Sequence, residues 1–184
     1  MTATDTVPNE LSHVEALANS VDVEAGTDAL TTPDELRDWL AARGLLATGS
    51  TASAADVDAA QRLRAALREV LAGHHRGESV DPDAAARLDD AVAALPMVAH
   101  VDATGRAGLT GAADDVSGAL AHVVAGVVEA SVAGTWDRLK ICPEGTCQWV
   151  FYDRSKNRSR RWCTMEVCGN RAKTRGYRAR RRAG

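Results

Sequence analysis

Four cysteines constrain this 184-residue chain more than anything else in it. They fall as two pairs with the same spacing, Cys142-x4-Cys147 and Cys163-x4-Cys168, separated by fifteen residues rich in aromatics and arginine. Zinc takes four thiolates in a tetrahedron, and two short loops carrying two thiolates each supply that arrangement with little distortion of the chain. The best-known spacing places two residues inside each pair. Four are still compatible with one ion if each loop folds back, and Pro143 and Gly145 are turn-forming residues in the first. The competing readings are two disulfides or four unrelated buried thiols. Disulfides need an oxidising compartment, and the N-terminus has no basic start, apolar stretch or small-residue cleavage site of a secretory signal. The spacing therefore favours one zinc ion held by Cys142, Cys147, Cys163 and Cys168, in a soluble, cytoplasmic protein.

The residues around these cysteines form a denser pattern. Trp149-x-Phe151-x-Asp153-x-Ser155-x-Asn157 follows the first pair, and Arg160-Arg161-Trp162-Cys163-x-Met165-x-x-Cys168-Gly169-Asn170-Arg171-x-Lys173 contains the second. Over about thirty residues this resembles the CGNR zinc-finger family. The preceding part is similar to the domain usually joined to that finger, which takes its name from stress-induced transcription regulation. That similarity is carried by Asn19, Gly26-Thr27-Asp28 and the run from Trp39 to Leu46. Together the two cover nearly the whole chain, and they imply a DNA-binding transcription regulator.

Charge divides the chain in the same place. Residues 1–137 hold eight Arg/Lys against twenty-two Asp/Glu, whereas residues 138–184 hold fourteen against three. A split of this kind predicts a basic segment that meets a polyanion and an acidic body that does not. Between Arg154 and Arg182 there are twelve basic residues and one acidic residue, Glu166. A solvated face would mix signs, while guanidinium groups match phosphate oxygens two at a time. Arg154, Lys156, Arg158, Arg160, Arg161, Asn170, Arg171, Lys173, Arg175, Arg178 and Arg182 are the candidate nucleic-acid contacts. On a helix, Arg171, Arg175, Arg178 and Arg182 form one ridge. Asn170 and Arg171, nearest the metal, are the candidates for reading bases, unless they brace the metal loop instead. Arg175, Arg178 and Arg182 would grip phosphates. Tyr177 is the best candidate for stacking on a base, and Trp149, Phe151 and Trp162 are expected to pack around the metal loops.

Residues 1–9 are polar and predict a disordered tail, residues 10–135 a mainly helical regulatory domain, and residues 136–184 a treble-clef-like finger with a basic C-terminal helix. Leu11, Val14, Ala18 and Val21 fit a first amphipathic helix, interrupted by Gly26-Thr27-Asp28. Thr32-Pro33-Asp34-Glu35 opens a second helix as a capping box, with Leu36, Trp39 and Leu40 inward. A third runs from about Ser53 to Ala72 and ends at Gly73, with Arg62, Arg64, Arg68 and Glu69 on its polar side. Asp81-Pro82 starts a fourth, residues 97–110 read as a short β-hairpin, and residues 114–133 form the last large helix, with Val128 among its buried residues. In the finger, Gln148–Asp153 alternates as a strand, Ser155–Asn157 turns, and Arg160–Trp162 leads back to Cys163.

No apolar run approaches the ~20 residues needed to span a bilayer. No phosphate loop, nucleophile elbow or paired-carboxylate signature is present, and no two of the five histidines lie four apart on a helix. The expectation is a DNA-binding protein rather than an enzyme. Its N-terminal domain would bind a small-molecule effector or form a homodimer. An RNA-binding protein, or a protein-interaction finger whose basic tail is masked by the acidic body, are the alternatives.

Overall fold

Apolar and small residues lie on nearly every side of the segment after Asp115, and a helix of that kind belongs in the middle of a core. In the computed structural model, which describes residues 7–77 and 79–183, this is α5 (Val116–Val132), the central helix of the body. Asp115 caps it by accepting from Gly118 N at 3.0 Å. Helix α1 (Asn9–Ala18) lies across α5 with Leu11, Val14 and Leu17 fully buried. The two helices touch backbone to backbone at Gly126, where a Cβ would overlap the Glu10 carbonyl oxygen. Gly126→Ala should therefore cost about 1–3 kcal/mol through overpacking. Urea denaturation reads this directly, and an unchanged midpoint would mean that α1 yields without cost.

The remaining helices wrap this pair. Helix α2 (Pro33–Ala41) begins with the expected capping box of Thr32 and Glu35 and buries Leu36, Trp39 and Leu40. Helix α3 (Ala54–Arg76), capped reciprocally by Ser53 and Asp56, runs past Gly73 and stops at Gly77, in the left-handed conformation at φ 67°. A glycine inside a helix costs only about 1 kcal/mol. The extra turn places His74 Nδ1 3.0 Å from the Leu139 carbonyl oxygen and its ring edge-on to Trp136. Helix α4 (Pro82–Ala93) and the antiparallel pair β3 (Met97–Val101) and β4 (Ala107–Gly111) complete the body where the pattern placed them.

Several side chains depart from their expected positions. Val21 leaves the first helix for β1 (Val21–Asp22), which pairs with β2 (Thr27–Asp28) across Gly26. Arg64 is buried rather than solvated: its guanidinium meets both Asp28 carboxylate oxygens at 2.6 Å and Ser20 Oγ at 2.9 Å. Arg68 reaches the carbonyl oxygens of Ala18 at 2.7 Å and Gln148 at 3.1 Å. Val128 is 39% exposed, on the open side of α5. Of the segment 1–9, residues 1–6 lie outside the described residues, Val7 is buried in the core, and Asn9 begins α1.

The C-terminal part grows out of the same core. A 3₁₀ turn (Trp136–Arg138) leads into β5 (Leu139–Ile141), which pairs antiparallel with β6 (Val150–Tyr152) and packs on α3. Leu139, Ile141 and Val150 join the core of the helices. Asn19, at the end of α1, donates to the Val150 carbonyl oxygen at 2.9 Å and accepts from Val150 N at 2.8 Å, so its amide continues the ladder into the body. The hairpin thus brackets the first cysteine pair, and residues 154–162 form a loop that leads back to Cys163. A π-helical turn (Met165–Gly169) then opens into α6 (Asn170–Ala183).

Candidate metal centre and nucleic-acid interface

Each cysteine pair is folded back by backbone bonds. Cys142 N donates to the Trp149 carbonyl oxygen at 2.9 Å, and the Glu144 carbonyl oxygen accepts from both Cys147 N (2.8 Å) and Gln148 N (3.0 Å). Gln148 adopts φ 52° to make this turn. In the second pair, Gly169 N donates to the Thr164 carbonyl oxygen at 3.2 Å across the π turn. Gly169 gives close passage to the Met165 side chain, which a Cβ would strike, rather than to the cysteine cluster.

The four sulfurs lie within 4.8 Å of one another. Cys163 Sγ is 3.6 Å from both Cys147 Sγ and Cys168 Sγ. A tetrahedron with Zn–S bonds of ~2.3 Å has an edge of about 3.8 Å, so these separations fit one ion. All four are free thiols, and Phe151 and Trp162 pack against them. Burial, reinforced by the hydrogen bond with Cys147, pushes the Cys163 thiol up to about 12, and burial also raises Cys168. Without an ion these two thiols hold their protons, and a metal must displace them on binding.

Beside the cluster, Asp153 is fully buried and organises the loop that follows. It accepts from Lys140 Nζ at 2.6 Å, Ser155 N at 2.9 Å, Ser155 Oγ at 2.6 Å and Arg160 N at 3.0 Å. Lys140 Nζ also donates to the Arg158 carbonyl oxygen at 2.5 Å. Arg158 pairs with Asp137. Arg160 donates from Nε to the Trp162 carbonyl oxygen at 3.1 Å, reaches the Cys163 carbonyl oxygen, and lies over the Phe151 ring.

On α6, Arg175 makes a two-pronged pair with Glu144, at 2.8 and 2.6 Å. The Glu144 side chain is 3% exposed, and Arg175 holds its carboxyl below the usual range. Arg171 meets Glu24 of the body at 2.6 Å, and Asn170 Nδ2 donates to the Glu166 carbonyl oxygen at 2.9 Å.

Comparison with known families agrees with this division. Residues 138–181 match the family described as "CGNR zinc finger", and residues 13–134 match ABATE, described as "Putative stress-induced transcription regulator". The chain belongs to the ABATE family. No curated protein matches it. The cysteine cluster is thus the metal-binding centre of a CGNR finger that follows an ABATE domain, and among the described residues no helix is long and apolar enough to cross a membrane.

The candidate nucleic-acid contacts of the CGNR finger separate into two groups. Arg158, Arg160, Asn170, Arg171 and Arg175 are engaged within the molecule. Arg154, Lys156, Arg161, Lys173, Arg178 and Arg182 are exposed, and no ion pair joins them to a carboxylate among the described residues. Tyr177 is 56% exposed, with Arg181 near its ring. Trp149, expected around the metal loops, is instead 41% exposed. The residues that sequence reasoning missed are the acidic partners Glu24 and Glu144 and the buried Lys140. Lys140 had a signal: a lone lysine between Leu139 and Ile141, in a strand facing the core, needs a buried partner.

Proposed function

We propose that this protein is a zinc-dependent DNA-binding regulator of transcription whose DNA contact is the outer half of α6. The observation that carries it is the exposed cluster Tyr177, Arg178, Arg180, Arg181 and Arg182, beyond the point where Arg171 and Arg175 tie the helix to Glu24 and Glu144. The inner arginines set the helix direction, and the outer ones are left to meet phosphates. A major groove admits one α-helix, so a helix held at one end can be presented to it. Four thiolates fill a tetrahedral ion and leave no open position, so zinc here is structural rather than catalytic. The acidic ABATE domain is the regulatory part. The masking alternative accounts for Arg171 and Arg175 but not for the arginines beyond them.

The test is binding of labelled duplex DNA and structured RNA across a salt series. Arg178→Ala and Arg182→Ala should each lower the salt slope on the duplex by about one unit and weaken all sequences alike. Equal affinity in both variants would remove α6 from the interface. Tighter binding to the RNA would favour an RNA-binding finger.

A further inference from the structure

Strand β3 lies on the outside of the body. It pairs with β4 along one edge and, among the described residues, with no strand along the other. All of its residues but Met97 are exposed, whereas β4, which packs on α5, is mostly half-buried. The bonds just beyond the two ends of the ladder fix which backbone groups face outward. Ala112 N donates to the Pro96 carbonyl oxygen at 2.9 Å, and Asp102 N donates to the Arg106 carbonyl oxygen at 3.0 Å. Bonded positions alternate along an antiparallel ladder, so Val98 and His100 turn both backbone groups toward β4. The N–H and C=O groups of Met97, Ala99 and Val101 therefore point to the open edge.

Edges of this kind are ordinarily protected by a charge, a proline or a bulge. Met97-Val98-Ala99-His100-Val101 has none of these: its register with β4 is unbroken, and it holds no Asp, Glu, Lys or Arg. Val101 is 69% exposed. The nearest carboxylate along the chain, Asp102, is held within its own turn by Thr104 and by Arg106 N. Residues 1–137 carry twenty-two Asp/Glu against eight Arg/Lys. On so acidic a body, an uncharged edge is where two copies can meet without setting carboxylates against each other.

We propose that β3 pairs antiparallel with β3 of a second copy, about a two-fold axis at Ala99. An open strand edge is completed by another strand, and this one matches itself at every position. Ala99 opposes its own counterpart on the axis, and Met97 opposes Val101 on either side, each pair exchanging both backbone bonds. On the other face Val98 opposes His100, so no pair opposes like charges. The product is a four-stranded sheet with two strands from each copy. Its contact is isologous and closes at a dimer. The contact lies in the ABATE domain, uses no residue of the metal centre or of α6, and does not depend on the DNA contact assigned to α6.

Sedimentation of the full-length, metal-loaded protein between about 1 µM and 1 mM reads the association. The mass should rise from monomer to dimer and no further. Hydrogen exchange over the same series should show the Met97, Ala99 and Val101 amides gaining protection as the dimer forms, while β4 protects those of Val98 and His100 throughout. Val101→Lys puts an ammonium into an edge pair and should raise the dissociation constant about tenfold or more. Ala99→Pro removes an N–H that β4 does not use and should do the same, with circular dichroism confirming that both variants fold. A monomer at every concentration, or a dimer in which Met97, Ala99 and Val101 gain no protection, overturns the proposal. So does a dimer that Val101→Lys leaves intact and Val132→Lys abolishes, which would place the contact on α5.

Discussion

Replacing Cys163 by serine should empty the metal centre and unfold the chain around it, while the helices of the body persist. Cys163 Sγ stands 3.6 Å from two other sulfurs, so its loss removes the vertex that joins the first cysteine pair to the second. Apparent zinc-binding energies in small fingers are ~10–16 kcal/mol. The local core of Cys142, Phe151 and Cys168, with Trp162 alongside, is far too small to replace them. The damage has a predictable border. Leu139, Ile141 and Val150 are buried among the helices, so β5 and β6 should hold while residues 142–149 and 163–170 lose their structure. Hydrogen exchange on the variant should show protection lost in those two segments and kept in α1, α3 and α5. Metal content equal to the parent's, with unchanged exchange, would mean that Cys163 is no ligand. Chelation of the parent protein should reproduce the pattern, and more readily at lower pH, because the ligating thiols must be deprotonated.

That expected border follows packing, because Leu139, Ile141 and Val150 join the core of the helices. The shift from acidic to basic at Arg138 marks a change of chemistry, not of packing, and strands of three residues carry too little periodicity to show which core they join. Asn19 illustrates the difficulty: its role becomes visible only when Val150, 131 residues later, arrives beside it. Local signals fared better. The Thr32–Glu35 box, the Asp81-Pro82 start and the 97–111 hairpin are set by neighbours in sequence and lie where they were expected. The metal cluster was legible because thiolate spacing is a local constraint as well. The arginine ridge was only half legible. Helical spacing puts Arg171, Arg175, Arg178 and Arg182 on one line, but whether a carboxylate waits opposite each depends on tertiary placement. Glu24 comes from a hairpin tip in the body and Glu144 from inside the first cysteine loop. In the proposed reading, these two pairs give the inner arginines the task of aiming the helix.

The second large effect should come from Asp153→Asn, although that side chain touches neither the sulfurs nor solvent. In the parent, burial pushes the Asp153 carboxyl upward, but bonds from Lys140 and Ser155 outweigh it and hold the group below its usual range. Asparagine keeps one acceptor for Ser155 and turns an NH2 toward Lys140 Nζ and Arg160 N, both donors. Lys140, itself 5% exposed, is left as a buried ammonium with only the Arg158 carbonyl oxygen. Breaking one side of a buried pair costs about 3–5 kcal/mol. Lys140→Met should cost less, because Asp153 retains three neutral donors from Ser155 and Arg160. The pH dependence has a fixed sign. A depressed carboxylate contributes stability above its unfolded value of ~3.9, and that contribution is lost as pH falls through the folded value. The gap between parent and Asp153→Asn should therefore be full at pH 7 and close below about pH 4. Thiol protonation acts on both proteins, so the difference between their denaturation curves isolates the carboxylate. A gap at pH 7 of under about 1 kcal/mol, the size of an exposed pair, would show that Lys140 and Asp153 are hydrated in solution and that the loop from Arg154 to Arg161 is held by the metal alone.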